Sequence, residues 1–242
     1  MQNRNSPHQG TGVVSGISIG RAYVIRHEEG TVHHKRVEPH EVEQEVERFQ
    51  HSLEKSYEQL ESIRQRLGEN HKDPGHILEA HQMMLHDEEL ISSVRNTIQQ
   101  DLVNAESAID MTLERWEKVF LRVEDEYISE RFSDLQFLSY RLIRNLTGQG
   151  CISLEPPPDA IVVASQLSPA ETIQLGRKAI SGIVTARGGK TSHTVIIAKA
   201  FELPTVIGCT DILDTVGDGD LVLIDGQEGI VVVWPDAATV QH

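Results

Sequence analysis

VEQEVERFQHSLEKSYEQLESIRQRLG, residues 42–68, sets Val42, Val46, Phe49, Leu53, Leu60, Ile63 and Leu67 at spacings of three, four or seven, with Glu, Gln, Arg and Lys between them. That period draws one apolar stripe along a helix, so the stretch reads as a single long amphipathic helix that Gly68 ends. Upstream the pattern differs. From Thr11 to Ile25, glycines at 12, 16 and 20 punctuate Val13, Val14, Ile17, Ile19, Tyr23, Val24 and Ile25, which reads as turn plus strand.

Downstream the helical period continues. Pro74 suits the first turn of a helix around Ile77 to Leu85. A third periodic stretch runs Ile109, Leu113, Trp116, Phe120, Val123, Tyr127, and a fourth runs Leu135, Leu138, Leu142, Leu146. Short polar links join these stretches, as they do antiparallel neighbours in a bundle. After Gly148 the character changes again. EPPPD at 155–159 reads as a stiff linker, and Ala160 to Ala164, Ile180 to Thr185 and Leu203 to Gly208 read as strands, with a helix over Thr194 to Ala200. Leu221 to Ile224 and Ile230 to Trp234 flank the turn signal DGQEG. The N-terminal strand shares the character of the C-terminal half. The expectation is therefore one discontinuous α/β domain, residues 1–35 and 149–242, interrupted by an all-α helical bundle over 36–148.

With 242 residues, 38% of them apolar and 24% charged, the chain can bury a sizeable core. The net charge of -15 opposes broad contact with a phosphate backbone, so nucleic acid is not an expected partner. Between Arg36 and Gly148 there are 24 acidic and 13 basic residues, so -11 of that charge belongs to the helical segment and a cationic partner suits it. No apolar run approaches the roughly 20 residues needed to cross a bilayer, and MQNRNSPHQG has no signal-peptide core, which points to the cytoplasm without membrane insertion. Cys151 and Cys209 form no CxxC pair and read as small buried apolar residues. His76, His81 and His86 recur every five residues and wind around a helix; with HExxH absent, no metal site is expected.

GGKTSH at 188–193 is where chemistry is expected. Gly188 and Gly189 follow a strand and precede a helix, so they can adopt conformations that turn backbone N–H groups outward. The helix start adds a positive end, Lys190 a charge, and Thr191 and Ser192 hydroxyl donors, which together can cradle an anion. A neutral imidazole nitrogen on His193 is nucleophilic near neutral pH, and the surrounding donors suit a phosphoryl group in transit. The loop is not a Walker A motif, because the position five before Gly189 would have to be glycine and residue 184 is Val. On physical grounds alone, a histidine behind a glycine loop also fits a helix cap or a core residue.

GGKTSHTVIIAKAFELPTVIG, residues 188–208, resembles the phosphohistidine signature GGxTSHxxIxARxxxxPxxxG of the PEP-utilising enzymes, with Lys199 in place of the usual Arg. Three further stretches resemble Enzyme I of the bacterial phosphoenolpyruvate:sugar phosphotransferase system: SGISIGRA at 15–22, AHQMMLHDEEL at 80–90 and DEYISERFSDLQFLSYRLIRNLTG at 125–148. The resemblance implies a phosphohistidine α/β subdomain of the swivelling type, split by a helical subdomain that docks the small phosphocarrier HPr. It implies that His193 carries, on Nε2, a phosphoryl group originating from phosphoenolpyruvate and passes it reversibly to the active histidine of HPr. Thr172, in SPAET, matches a family threonine whose hydroxyl lies near the active imidazole. In several relatives a helical-domain lysine also approaches the phosphohistidine, but the aligned position here is Pro74, with Lys72 nearby.

The resemblance also assigns HPr contact to the region of Met83, Met84, Asp87 and Glu89, adaptable apolar surface beside negative charge. The phosphoenolpyruvate site, its magnesium and the dimer contacts fall in a C-terminal domain beyond His242. The chain alone is thus expected to be a cofactor-free monomer that exchanges phosphoryl groups with phospho-HPr but does not phosphorylate itself from phosphoenolpyruvate. Its stop after the last β run favours a portion cut from a longer protein. The alternative is the phosphohistidine domain of a pyruvate phosphate dikinase or PEP synthase, which would pair with a nucleotide-binding domain and lack the helical platform. The sequence does not separate sugar uptake from nitrogen-linked regulation.

Overall fold

Three strands open the chain, β1 (His8–Gln9), β2 (Thr11–Val14) and β3 (Ile17–Ile25). The computed structural model describes residues 7–26, 34–67, 71–120, 126–150 and 153–236. Gly68, Val123 and Cys151, all read above from sequence, lie outside these. Five helices follow: α1 (Val42–Arg66), α2 (Lys72–Leu85), α3 (Glu88–Asp101), α4 (Ala105–Phe120) and α5 (Glu126–Leu146). The remaining chain alternates β4 (Ile161–Ala164), α6 (Pro169–Gly176), β5 (Gly182–Thr185), α7 (His193–Ala200), β6 (Thr205–Ile207), α8 (Ile212–Thr215), β7 (Leu221–Asp225) and β8 (Ile230–Val233). Two units emerge: Met1–Glu28, His71–Pro74 and Leu154–His242 form one, and Glu29–Asn70 with Gly75–Ser153 the other.

In the first unit the strands run in the order β1-β8-β7-β3-β4-β5-β6-β2. The long strand β3 is the pivot, antiparallel to β7 along its first half and parallel to β4 along its second. β4, β5 and β6 continue in parallel, with α6 and α7 as their crossovers. The two ends of this order are β1 and β2, joined only by Gly10, so the sheet closes on itself: His8 pairs with Val231 while Thr11 pairs with Ile207. Closure leaves no room for a side chain at Gly10, where a Cβ would stand 2.6 Å from Cys209 Sγ and from the Ile207 carbonyl oxygen. Val163, Val184, Val206, Ile224 and Val231 form the shared core, and Cys209 is buried among them, its thiol pushed up to about 11 by burial and then by Asp211.

The second unit is a helical bundle. α1 buries Val46, Phe49, Leu53, Leu60 and Ile63, the stripe read from its period. Between these, Ser52 and Ser56 are buried too, their hydroxyls donating to the Phe49 and Ser52 carbonyls at 2.7 Å. A polar chain then crosses to α5: Asn145 Nδ2 donates to Ser56 Oγ at 2.8 Å, Gln59 Nε2 to Asn145 Oδ1 at 2.7 Å, and Arg141 to Gln59 Oε1 at 3.0 Å. Arg48 links α1 to the start of α4 through Glu45 at 2.6 Å and Glu106 at 2.5 Å, while Glu45 accepts from the Ala105 N–H at 2.9 Å. The two carboxylates are largely shielded from water, so each relies on the half-exposed Arg48 for its pairing. His81 and Asp134 make a second buried pair at 3.1 Å.

Of the periodic stretch Ile109 to Tyr127, the part up to Phe120 lies in α4 and Tyr127 lies in α5; residues 121–125 are outside the described residues. Among the described residues no helix is long and apolar enough to cross a membrane.

Candidate functional site

Parallel pairing carries β5 beyond its last strand residue, with Ala186 N–H donating to the Ala164 carbonyl at 3.0 Å and Arg187 N–H to Ser165 at 2.9 Å. Thr185 Oγ1 then donates to the Arg187 carbonyl at 2.7 Å. The chain leaves the sheet at Gly188, whose φ of +125° is a backbone state that side-chain-bearing residues rarely adopt. The space beside it is open: a Cβ there would lie 3.7 Å from Thr185 Oγ1 and 3.9 Å from Ser192 Oγ.

Gly189, Lys190 and Thr191 form the exposed crest of the loop, and Ser192 N–H closes it by donating to the Gly189 carbonyl at 3.1 Å. Ser192 is the N-cap of α7, and its carbonyl accepts from the Val195 and Ile196 N–H groups. Its side chain does not cap. A capping serine normally folds its hydroxyl onto the N–H of the second or third helical residue; here Ser192 Oγ is buried with no hydrogen-bond partner among the described residues. His193 is the first residue of α7 and is half-buried, so its imidazole stands at the positive end of the helix beside the glycine loop.

α7 is tied to α6. Buried Thr194 Oγ1 donates to the Leu167 carbonyl at 3.1 Å. One residue on, Ser168 begins α6 with a reciprocal cap: its hydroxyl accepts from the Glu171 N–H, and the Glu171 carboxylate accepts from the Ser168 N–H at 2.8 Å. Thr172 is fully buried, and its hydroxyl donates to the Ser168 carbonyl at 2.9 Å. That bond uses the hydroxyl's single proton, so Thr172 Oγ1 has only acceptor capacity left. Sequence reasoning did not single out Ser168, Glu171 or Thr194. Of these only the S-x-x-E spacing of Ser168 and Glu171 carried a signal.

The residues assigned to partner contact gather at the α2–α3 turn of the helical unit. Met83 is 71% exposed, an uncommon state for a large apolar side chain, and Met84 is half-buried. Asp87 is also the N-cap of α3, its Oδ1 accepting from the Glu89 N–H at 2.7 Å and the Leu90 N–H at 3.3 Å, and Glu89 points into solvent. Beside the turn, Tyr57 and His86 meet edge to face at 5.0 Å.

A strand, a glycine turn in a left-handed state, an uncapped helix start and a histidine at its first position thus stand together in one short stretch of chain. Residues 9–131 match the family described as PEP-utilising enzyme, N-terminal, and residues 156–229 match PEP-utilising enzyme, mobile domain. The chain belongs to the PEP-utilising enzymes. Within that family it is similar to the phosphoenolpyruvate-protein phosphotransferase of Priestia megaterium, at 36% identity over 96% of the chain. The Bacillus subtilis protein of the same name is 34% identical over 97% of the chain. The chain spans 41% of the length of each. Among solved structures, one named Enzyme I (nEIt) superposes with a TM-score of 0.75 at 37% identity, covering 96% of this chain and 95% of that one. The N-terminal domain of Enzyme 1 - Nitrogen shares the fold, at a TM-score of 0.60, 23% identity and 96% coverage of both chains.

Proposed function

We propose that this member of the PEP-utilising enzymes is the phosphoryl-relay portion of an Enzyme I, in which His193 accepts a phosphoryl group and passes it reversibly to the histidine of an HPr-type phosphocarrier. The observation that carries the reading is the placement of His193 at the first position of α7, directly after the Gly188–Ser192 loop. In this reading the first unit is the phosphohistidine subdomain of the swivelling type, and the helical unit is the HPr-docking subdomain.

The chemistry follows from the groups present. A lone pair on one imidazole nitrogen of His193 attacks the phosphorus of the partner's phosphohistidine, the partner's N–P bond breaks, and its electron pair returns to that imidazole. The phosphoryl oxygens keep their charge throughout, so catalysis is positioning plus electrostatic stabilisation. The end of α7, the loop N–H groups, Lys190 and the hydroxyls of Thr191 and Ser192 supply that stabilisation. With its proton engaged by Ser168, Thr172 Oγ1 acts as acceptor for the Nδ1–H of His193, holding the tautomer whose Nε2 lone pair faces the phosphorus. Met83, Met84, Asp87 and Glu89 meet the carrier, apolar contact surrounded by charge opposite to its basic groups. Phosphoenolpyruvate and its magnesium belong to the C-terminal domain of the full-length enzyme, and no step here passes through them.

The similarity to proteins named phosphoenolpyruvate-protein phosphotransferase supports this reading over that of a dikinase domain. The test is to incubate the chain with phosphorylated HPr, then add an excess of unphosphorylated carrier. Acid-labile phosphate should appear on the chain and return to the carrier; phosphate that never appears, or never returns, contradicts the relay.

A further inference from the structure

We infer a second site, in the helical unit alone and independent of the phosphoryl reading: the cleft between α3 and α4 binds a small oxyanion-bearing molecule. The cleft has a volume of about 270 Å³. From α3 it takes Ser93, Asn96, Thr97 and Gln100, at positions i, i+3, i+4 and i+7, one complete face of the helix. From α4 it takes Thr112, Arg115 and Trp116. The buried seam of α3 is Leu90, Val94 and Ile98. Beside it the polar stripe runs from exposed Asn96 and Gln100 down to Thr97, which with Thr112 forms the base of the cleft, each 2% exposed.

Both threonines back-bond, Thr97 Oγ1 donating to the Ser93 carbonyl at 2.8 Å and Thr112 Oγ1 to the Ala108 carbonyl at 2.7 Å, and the two hydroxyls lie 3.4 Å apart. Such bonds slightly weaken a helix, and two buried hydroxyls stand where apolar groups would otherwise pack. Departures from local rules of this kind concentrate at functional sites.

Arg115 supplies the recognition. Its Nε donates to the Met111 carbonyl at 3.0 Å and one Nη to Thr97 Oγ1, so the guanidinium plane is held at two points. Three of its five N–H groups remain for a ligand, and no carboxylate pairs with it among the described residues. None of the seven lining residues is acidic, although the surrounding segment carries a net -11. A fixed guanidinium fork with unspent donors matches a carboxylate or a phosphate bidentately. Asn96 and Gln100 can each donate to or accept from a second polar group, and Trp116 offers a flat apolar wall. Acid-free lining, one clamped Arg and room for a small metabolite define the ligand class.

The experiment uses the whole chain, labelled with nitrogen-15, titrated separately with succinate and inorganic phosphate against sodium chloride of equal ionic strength. At least one of the two anions should shift the Trp116 indole and the Thr97 and Arg115 amides along saturable curves, with chloride leaving them in place. Arg115→Met should weaken that binding by about tenfold or more, the loss of a charge-assisted pair, with the spectrum of α5 unchanged. Asn96→Leu, which fills the cleft and leaves the charge, should weaken it as well. Shifts no larger than those from chloride for both anions, or binding that survives both substitutions, overturn the proposal.

Discussion

Thr194 Oγ1 donates to the carbonyl of Leu167 at 3.1 Å, joining the first turn of α7 to the residue that precedes the Ser168 cap of α6. This bond ties the helix bearing His193 to the start of the helix bearing Thr172, which pack against each other. Thr194→Val keeps the shape and deletes the donor. It should lower stability by ~1–2 kcal/mol, read as a reduced urea midpoint, because a buried carbonyl loses its partner, and phosphoryl transfer should slow more than stability alone accounts for.

Thr172 separates structure from chemistry. Thr172→Ser retains the hydroxyl and should transfer phosphate near the parent rate. Thr172→Val should cost roughly 1 kcal/mol of stability and, in addition, raise the sensitivity of the transfer rate to pH, since the imidazole tautomer is no longer held. Rate–pH profiles of the two variants check this; identical profiles would remove the orienting role.

Gly188 is required for its backbone, not for lack of space. With only ordinary contacts awaiting a Cβ, Gly188→Ala should act through its φ of +125°, at a cost of ~1–3 kcal/mol. Relaxation of that strain would re-aim the loop, so the phosphorylated fraction at equilibrium with phospho-HPr should fall while the circular dichroism of the helical unit stays unchanged.

Asp87 has two roles that substitution can divide. Asp87→Asn keeps an N-cap for α3 and removes a charge, so it should weaken carrier binding in a salt-dependent way with little change in melting temperature. Asp87→Ala should do both, with a further loss of ~1 kcal/mol in stability. Calorimetric titration and thermal melts distinguish the two.

The acid limb of stability has a named contributor. Hydrogen bonds from Arg64, then Gln82 and Gln65, hold the Glu61 carboxyl at about 2, below its ordinary 4.5. The folded state therefore prefers the carboxylate, so the stabilisation is present above pH 4.5 and is lost as pH falls from there toward 2. Asp211, lowered by its hydrogen bond from His8 at 3.0 Å, adds in the same direction. Both are solvated, so each effect is small. Glu61→Gln should flatten the fall of the urea midpoint across that window, lowering the value near neutral pH slightly and leaving the value near pH 2 almost unchanged.

Much of this fold is legible in the chain because apolar period and buried face coincide. Val46, Phe49, Leu53, Leu60 and Ile63 announce α1, and Ile161 to Ala164 announce a strand buried along its length. Periodicity missed α3 as a helix although Leu90, Val94 and Ile98 repeat every four residues and are buried; the stripe is short and is flanked by the polar residues Ser93, Asn96, Thr97 and Gln100. The closure of the sheet was hidden for another reason, since β1 and β2 have two and four residues and their partners lie some two hundred positions away. At the site, the glycine loop and His193 stand contiguous in sequence. Thr194 and Leu167, 27 residues apart, do not. Nor does any pattern show that Ser192 leaves its cap unmade, because that depends on where the hydroxyl turns after the chain has folded.

The central claim is that His193 is the phosphoryl carrier, and label transfer tests it most directly. The chain and its His193→Ala variant are each incubated with phosphorus-32 phospho-HPr, separated from the carrier and assayed for acid-labile label. The account predicts label on the parent chain and none on the variant, whose circular dichroism and melting temperature should match the parent's. Label persisting on His193→Ala would contradict it.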